Sequence, residues 1–206
     1  MLQAVNLECV RGRRRLFSGL SFDVDAGQLF WVAGPNGSGK TSLLRILCTL
    51  LRAESGEVRW RGTNVRTLGD TFLADLVYIG HAPAVKDDLT ALENLGFSLA
   101  QHGLAASERD LAGALDRFGL AGREDLPARA LSQGQRRRVG LARLVFGAAQ
   151  ALWILDEPLT ALDAAAVELV REQISAHLER RGVVVLTSHQ EVDLGGLRVQ
   201  RLQLDA

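Results

Sequence analysis

One stretch of the chain has the residues and spacing to hold phosphate. Gly34-Pro35-Asn36-Gly37-Ser38-Gly39-Lys40-Thr41 fits GxxxxGK[ST], and Ser42 follows it. Glycines there let the backbone wrap closely around an anion and turn several N–H groups inward. A helix starting near Lys40 adds its positive end at the same point. In this pattern Lys40 neutralises the β- and γ-phosphates of a nucleotide, and Thr41 puts its hydroxyl on Mg²⁺. A plain glycine-rich turn is the bland alternative. An apolar strand before the motif and a helix after it argue against that reading.

A second constellation ends another apolar run. Residues 151–157 read ALWILDE, a buried strand closed by two carboxylates, Asp156 and Glu157. Asp156 can hold the hydration shell of Mg²⁺ beside Thr41. Glu157 can orient or deprotonate an attacking water. His189 follows a third apolar run, in Thr187-Ser188-His189-Gln190, and can donate a hydrogen bond to a γ-phosphate. Phosphoryl transfer needs mainly positioning and charge neutralisation, and these residue types supply both. ATP and Mg²⁺ are the ligands this set implies.

The elements that must position these groups are legible in outline. Leu29–Ala33, 151–155 and Val183–Thr187 are continuously apolar, which suits strands covered on both faces of a parallel sheet. Ligands of open α/β sheets bind outside the carboxyl ends of such strands. Helical spacing predicts helices over 40–51, with Leu43, Leu44, Leu47 and Leu50 on one face, over 133–146, and over 164–179. Residues 83–125 hold two shorter helical patterns broken by Gly103 and Gly119. Residues 2–25 and 56–65 read as short strands with turns.

Composition sets the bounds. The chain has 206 residues, which suits one α/β domain. Its 24 Lys+Arg balance 24 Asp+Glu, which argues against a protein built mainly to grip nucleic acid. No uncharged run reaches the ~20 residues a membrane-spanning helix needs. The start, Met1-Leu2-Gln3-Ala4-Val5-Asn6, lacks the basic and apolar regions of a secretory signal. Cys9 and Cys48 form no CxxC pair and read as buried, reduced thiols.

Further motifs resemble a family. Leu131-Ser132-Gln133-Gly134-Gln135 resembles the signature of the ABC-type ATPases, with Gln133 at the position usually held by glycine. Ser132 and the amide of Gly134 open a helix and can face an anion. Pro158-Leu159-Thr160-Ala161-Leu162-Asp163 resembles the family's D-loop, which places Asp163 at a subunit contact. The resemblance implies a P-loop ABC fold, with a mostly parallel core sheet, an antiparallel β part and a helical subdomain at about 83–147. All 206 residues form a single ATPase domain in that picture. It also implies a homodimer of two such subunits packed head to tail. ATP lies between the P-loop of one and Ser132, Gln133, Gly134 and Gln135 of the other, and the pair works with membrane-embedded permease subunits.

Two positions depart from the family pattern. His81, in Tyr78-Ile79-Gly80-His81-Ala82-Pro83, stands where the family has the Q-loop glutamine. An imidazole there can contact the metal's water shell or the attacking water; a loop histidine with no catalytic part is the alternative. Arg11 stands where an aromatic residue usually stacks on adenine, and a guanidinium plane can also stack on a base. Phe17 is the other platform. The remaining arginines of 13–15 read as a solvated turn.

The stretches YIGHAPAVKDDLTALENL (78–95), WILDEPLTALD (153–163) and TSHQ (187–190) are similar to the ATPase subunit of the cytochrome c maturation haem exporter. That resemblance implies a peripheral protein at the cytoplasmic side of a bacterial inner membrane, with no direct haem contact, since no CxxCH is present. The motor of another exporter, for lipid, peptide or drug, is the alternative. A soluble ABC ATPase or a regulatory nucleotide-binding module stands further off.

Overall fold

Two sheets form around the buried apolar runs. The computed structural model describes residues 1–188 and 199–205. They divide into two compact units, one of residues 1–78, 150–157 and 175–206, the other of residues 79–149 and 158–174.

The first unit opens with strands β1 (Leu2–Arg11) and β2 (Arg14–Val24). After them come β3 (Leu29–Ala33), helix α1 (Lys40–Leu47), β4 (Ser55–Trp60) and β5 (Thr63–Asn64). Short helices α2 (Val65–Leu68) and α3 (Asp70–Ala74) lead to β6 (Leu76–Ile79). One sheet has the order β2-β1-β4-β5 and is antiparallel. Strands form over both expected stretches, but β1 and β2 are long, at 10 and 11 residues, and only β4 and β5 are short.

The burial of β1 changes phase partway. Leu2 and Ala4 are buried, then Leu7 and Cys9. A bulge causes the switch: pairing slips between Ala4 and Leu7, where Asn6 takes a left-handed φ of 51°. Across from it, a Cβ on Gly56 would stand 2.4 Å from the Asn6 carbonyl oxygen, so only glycine fits there.

The second sheet has the order β6-β7-β8-β3-β9. Its further strands are β7 (Leu152–Asp156), β8 (Val183–Thr187) and β9 (Val199–Gln203). The pairs β3–β8, β7–β8 and β3–β9 are parallel. Every residue of β3, β7 and β8 is buried, the apolar runs together with the polar Asp156 and Thr187 that close β7 and β8. α1 packs on β1, β7 and β8, and one core joins Leu2, Phe30, Leu44, Leu152 and Val185.

α1 is shorter than the spacing predicts. Thr49 turns the chain with a left-handed φ of 64°, and the amide of Leu51 reaches back to the Arg45 carbonyl. Leu50 is 63% exposed rather than part of the apolar face. Both cysteines are free and buried, as expected.

The second unit carries α4 (Ala91–Ala100), α5 (Glu108–Arg117) and α6 (Gln133–Leu141). Thr90 and Ser132 each open their helix with a reciprocal capping box, to Glu93 and Gln135. The predicted helix over 133–146 ends early: beyond Leu141 the chain tightens to 3₁₀ geometry over Ala142–Ala149. Helix α7 (Ala164–Glu179) begins in this unit, and its last residues belong to the first.

In the first unit the His177 ring stacks on Trp153, centroids 4.0 Å apart. His177 is 2% exposed, and a Cβ on Gly182 would collide with its ring. Burial, with Arg180 nearby, pulls the imidazole pKa down from 6.5 to about 4. Because the folded pKa lies below the unfolded one, the unfolded chain binds more protons between those values. The neutral stack therefore stabilises fully above pH 6.5, and that stability is lost as pH falls toward 4. The expected loss is on the order of 3 kcal/mol. Urea unfolding of His177→Phe should show a flatter dependence over this window than the parent chain.

Candidate functional site

The phosphate-type loop joins β3 to α1 and is shaped by its glycines. Gly34 has φ 150°, and a Cβ there would lie 2.4 Å from the Leu204 carbonyl oxygen and 2.7 Å from Ser38 Oγ. Gly39 caps α1 in a left-handed conformation at φ 104°. It offers no capping side chain, and no carboxylate lies in the helix's first turn. The first amides of α1 therefore keep their positive end for an anion.

Two side chains of the loop are buried and polar. Ser38 is 1% exposed, and its Oγ has no hydrogen-bond partner among the described residues. Lys40 is also buried; its Nζ folds back to donate to the carbonyls of Gly34 at 2.7 Å and Pro35 at 3.1 Å. A hydroxyl lacking an acceptor or donor and an ammonium held only by carbonyls are groups that a phosphate would satisfy. Ser42, by contrast, turns its hydroxyl to the Cys9 thiol, whose pKa is raised by burial and held back by Arg11 and by Ser42.

Phe17 lies against the loop: its Cδ1 is 3.4 Å from where a Cβ on Gly39 would stand. Arg11 is exposed and faces Arg14 across the hairpin turn. Arg14 is the arginine that approaches the loop, its Nη1 being 3.9 Å from the Cβ position of Gly37.

Beside the loop, β7 and β8 end in a buried polar group. Parallel register sets Asp156 opposite Thr187, and Val32 of β3 pairs with Thr187 on its other side. Thr187 Oγ1 donates to Asp156 Oδ1 at 2.7 Å and accepts from the Glu157 amide at 2.9 Å. Asp156, Glu157 and Thr187 are 1%, 6% and 0% exposed. Glu157 holds a left-handed φ of 53°, uncommon for a residue with a Cβ and a sign of local strain. Thr187 was not singled out from sequence; the signal was a hydroxyl closing an apolar strand beside a carboxylate strand. His189 lies outside the described residues.

The remaining candidates belong to the second unit. Ser132 is exposed, and its Oγ accepts from the Gln135 amide while the Gln135 side chain accepts from the Ser132 amide. Gln133 is exposed at the start of α6. Gly134 sits so close to the D-loop backbone that a Cβ would be 2.9 Å from the Ala161 carbonyl oxygen. Asp163 caps α7 by accepting from the Ala166 amide, and it pairs with Arg138 at 2.5 Å. Those two bonds, the amide first, lower its pKa. His81 is exposed, one residue past the end of β6 and its Gly80. Thus the first unit gathers the loop, Asp156 and Glu157, and the second gathers His81, Ser132, Gly134 and Asp163.

Comparison with known proteins agrees with this geometry. The ABC transporter family matches residues 17–160. A cytochrome c biogenesis ATP-binding export protein CcmA from Nitrosospira multiformis is 55% identical over 98% of both chains. Its namesake from Nitrosomonas europaea is also 55% identical, over 99% of this chain and 95% of its own. Among solved structures, a putative ABC transporter ATP-binding protein from Pyrococcus furiosus superposes with TM-score 0.81 at 22% identity, covering 98% of this chain and 96% of its own. A dimeric ATP-binding cassette in a post-hydrolysis state, bound to ADP and Pi, gives TM-score 0.80 at 21% identity over 99% and 96%. At those identities the structures establish the fold: a parallel core sheet, an antiparallel sheet and helices.

Thr187→Val removes the hydroxyl while keeping the shape. We expect a loss of about 1–3 kcal/mol in denaturant unfolding, because the Asp156 carboxylate and Glu157 amide lose a buried partner. Thr187→Ser should recover most of it.

Proposed function

The chain belongs to the ABC transporter family, and on that premise we propose that it is the ATP-hydrolysing subunit of an export system for cytochrome c biogenesis. The observation that carries hydrolysis is the single strand edge where the Lys40 loop emerges beside the buried Asp156–Thr187–Glu157 group. The export system follows from the name borne by relatives 55% identical along their whole length.

In this reading all 206 residues act as one ATPase domain. The backbone of Gly34, Pro35, Asn36, Gly37 and Gly39, with Ser38, Thr41 and Ser42 at the same turn, surrounds the phosphates of ATP. Lys40 exchanges its carbonyl partners for β- and γ-phosphate oxygens. Phe17, whose ring edge touches the loop, is supported as the adenine platform, with Arg11 the other candidate. Glu157 takes the proton of the attacking water while the bond from the γ-phosphorus to the bridging oxygen breaks. His81 is assigned a contact with the metal's water shell or with that water, and His189 a hydrogen bond to the γ-phosphate.

Thr41 and Asp156 would hold Mg²⁺, the Asp through water; an alcohol and a carboxylate are hard oxygen donors that suit this ion. When bound, the ion neutralises charge on the β- and γ-phosphates. Among the described residues no cluster of three metal-binding side chains exists.

A second copy supplies Ser132, Gln133, Gly134 and Gln135 to the γ-phosphate, with Asp163 at the contact between copies. No helix among the described residues is long and apolar enough to cross a membrane. Attachment to the cytoplasmic side of the inner membrane therefore runs through permease subunits, and this subunit touches neither haem nor nucleic acid.

The test is capture of partners by the Glu157→Gln variant from native membranes with ATP and Mg²⁺, followed by mass spectrometry. Membrane subunits of a haem or cytochrome c assembly system are expected. An unrelated permease would keep the motor and discard the haem system. Ribosomal or nucleic-acid-associated partners would overturn the transport reading.

A further inference from the structure

Three consecutive arginines follow the signature sequence, and the helix aims them at three different places, since each residue turns by about 100°. All lie in the second unit. Arg138 takes the D-loop through Asp163. Arg136 pairs with Asp87 at 2.8 Å and also donates to the carbonyls of Arg129 and Leu131, the latter just before Ser132. Arg137 is the buried one, 5% exposed. Its Nη1 donates to the carbonyls of Gly80 at 2.6 Å and His81 at 3.1 Å.

The loop over residues 80–88 is therefore fastened to α6 at both ends. Its later part is fixed independently by Asn94, which accepts from the Lys86 amide and donates to the carbonyls of Lys86, Leu89 and Thr90. A buried guanidinium needs acceptors, and charge-assisted bonds are the strong ones. Two of its acceptors are backbone atoms of the loop itself, so displacing the loop takes them from a buried charge. The bonds reach main-chain oxygens, which fixes the path of the backbone and leaves the His81 side chain available.

We propose that Arg137 is a positioning residue for hydrolysis. By tying the backbone of Gly80 and His81 to the signature helix, it sets where His81 stands and makes that loop and Ser132 move as one piece. The inference rests on the ATPase reading and gives Arg137 its effect through His81, with no contact to nucleotide. Lysine is a partial substitute, because its single ammonium lacks the planar fork that fixes direction.

The test is a double-mutant cycle of Arg137→Gln and His81→Ala, read by steady-state ATP hydrolysis and by amide hydrogen exchange. Arg137→Gln should lower kcat about tenfold or more and leave KM within about threefold. Added to His81→Ala, it should cost less than about a further twofold. Exchange should quicken over residues 80–88 and stay unchanged in α1. Arg137→Lys should fall between, and it replaces the glutamine variant in the cycle if that variant does not fold. An unchanged kcat, losses that multiply in full, or faster exchange throughout the chain would each overturn the proposal. A parent chain that hydrolyses no ATP sinks the ATPase reading instead, and the exchange pattern still judges the clamp.

Discussion

One hydroxyl governs the centre of this molecule. Thr187 donates a hydrogen bond to the Asp156 carboxylate and accepts one from the Glu157 amide, and all three residues are shielded from solvent. A buried carboxylate is costly without such partners. The register of β7 against β8 brings the threonine opposite Asp156, and the pairing of β8 with β3 sets the phosphate loop alongside. The apolar strands thus do more than fill a core: their parallel alignment brings three separate stretches of sequence to one edge. Strain at Glu157 fits the same picture, since its left-handed backbone is held by the bond from its own amide.

The loop beside that edge is arranged to receive charge. Gly34 and Gly39 adopt conformations that side chains resist, Ser38 keeps a buried hydroxyl without a partner among the described residues, and Lys40 is held by carbonyls alone. The buried hydroxyl is the group left unsatisfied, and an anion at the loop would satisfy it and offer the ammonium a charged partner. The second unit uses a different logic. Its functional backbone is fastened by arginines from α6, so Asp163, Gly80, His81 and Asp87 are all referred to the helix that Ser132 caps.

Sequence made the local features readable and left the long-range ones dark. The phosphate loop was legible because GxxxxGKT needs glycine at particular positions, and Leu29–Ala33 and Val183–Thr187 were legible as strands because burial on both faces keeps them apolar up to the closing Thr187. Leu50 misled because helical spacing says nothing about Thr49 turning left-handed and ending α1. The bulge at Asn6, the approach of Arg14 to Gly37 and the part played by Thr187 depend on a partner strand, and pairing register is not written in either strand alone. The signature pattern assigned no separate part to the arginines that follow it, and Arg137 is buried against carbonyls of a loop more than fifty residues away in sequence.

We propose that Asp156, whose carboxylate accepts from Thr187, and Glu157, whose amide donates to it, are the hydrolytic centre, and that the glycine loop is the binding centre. The most direct measurement is nucleotide affinity and phosphate release side by side, with Mg²⁺, for the parent chain and Glu157→Gln. Comparable ATP affinity in both, with phosphate release slowed about a hundredfold or more in the variant, is the predicted result. Equal release rates in the two proteins would contradict the assignment.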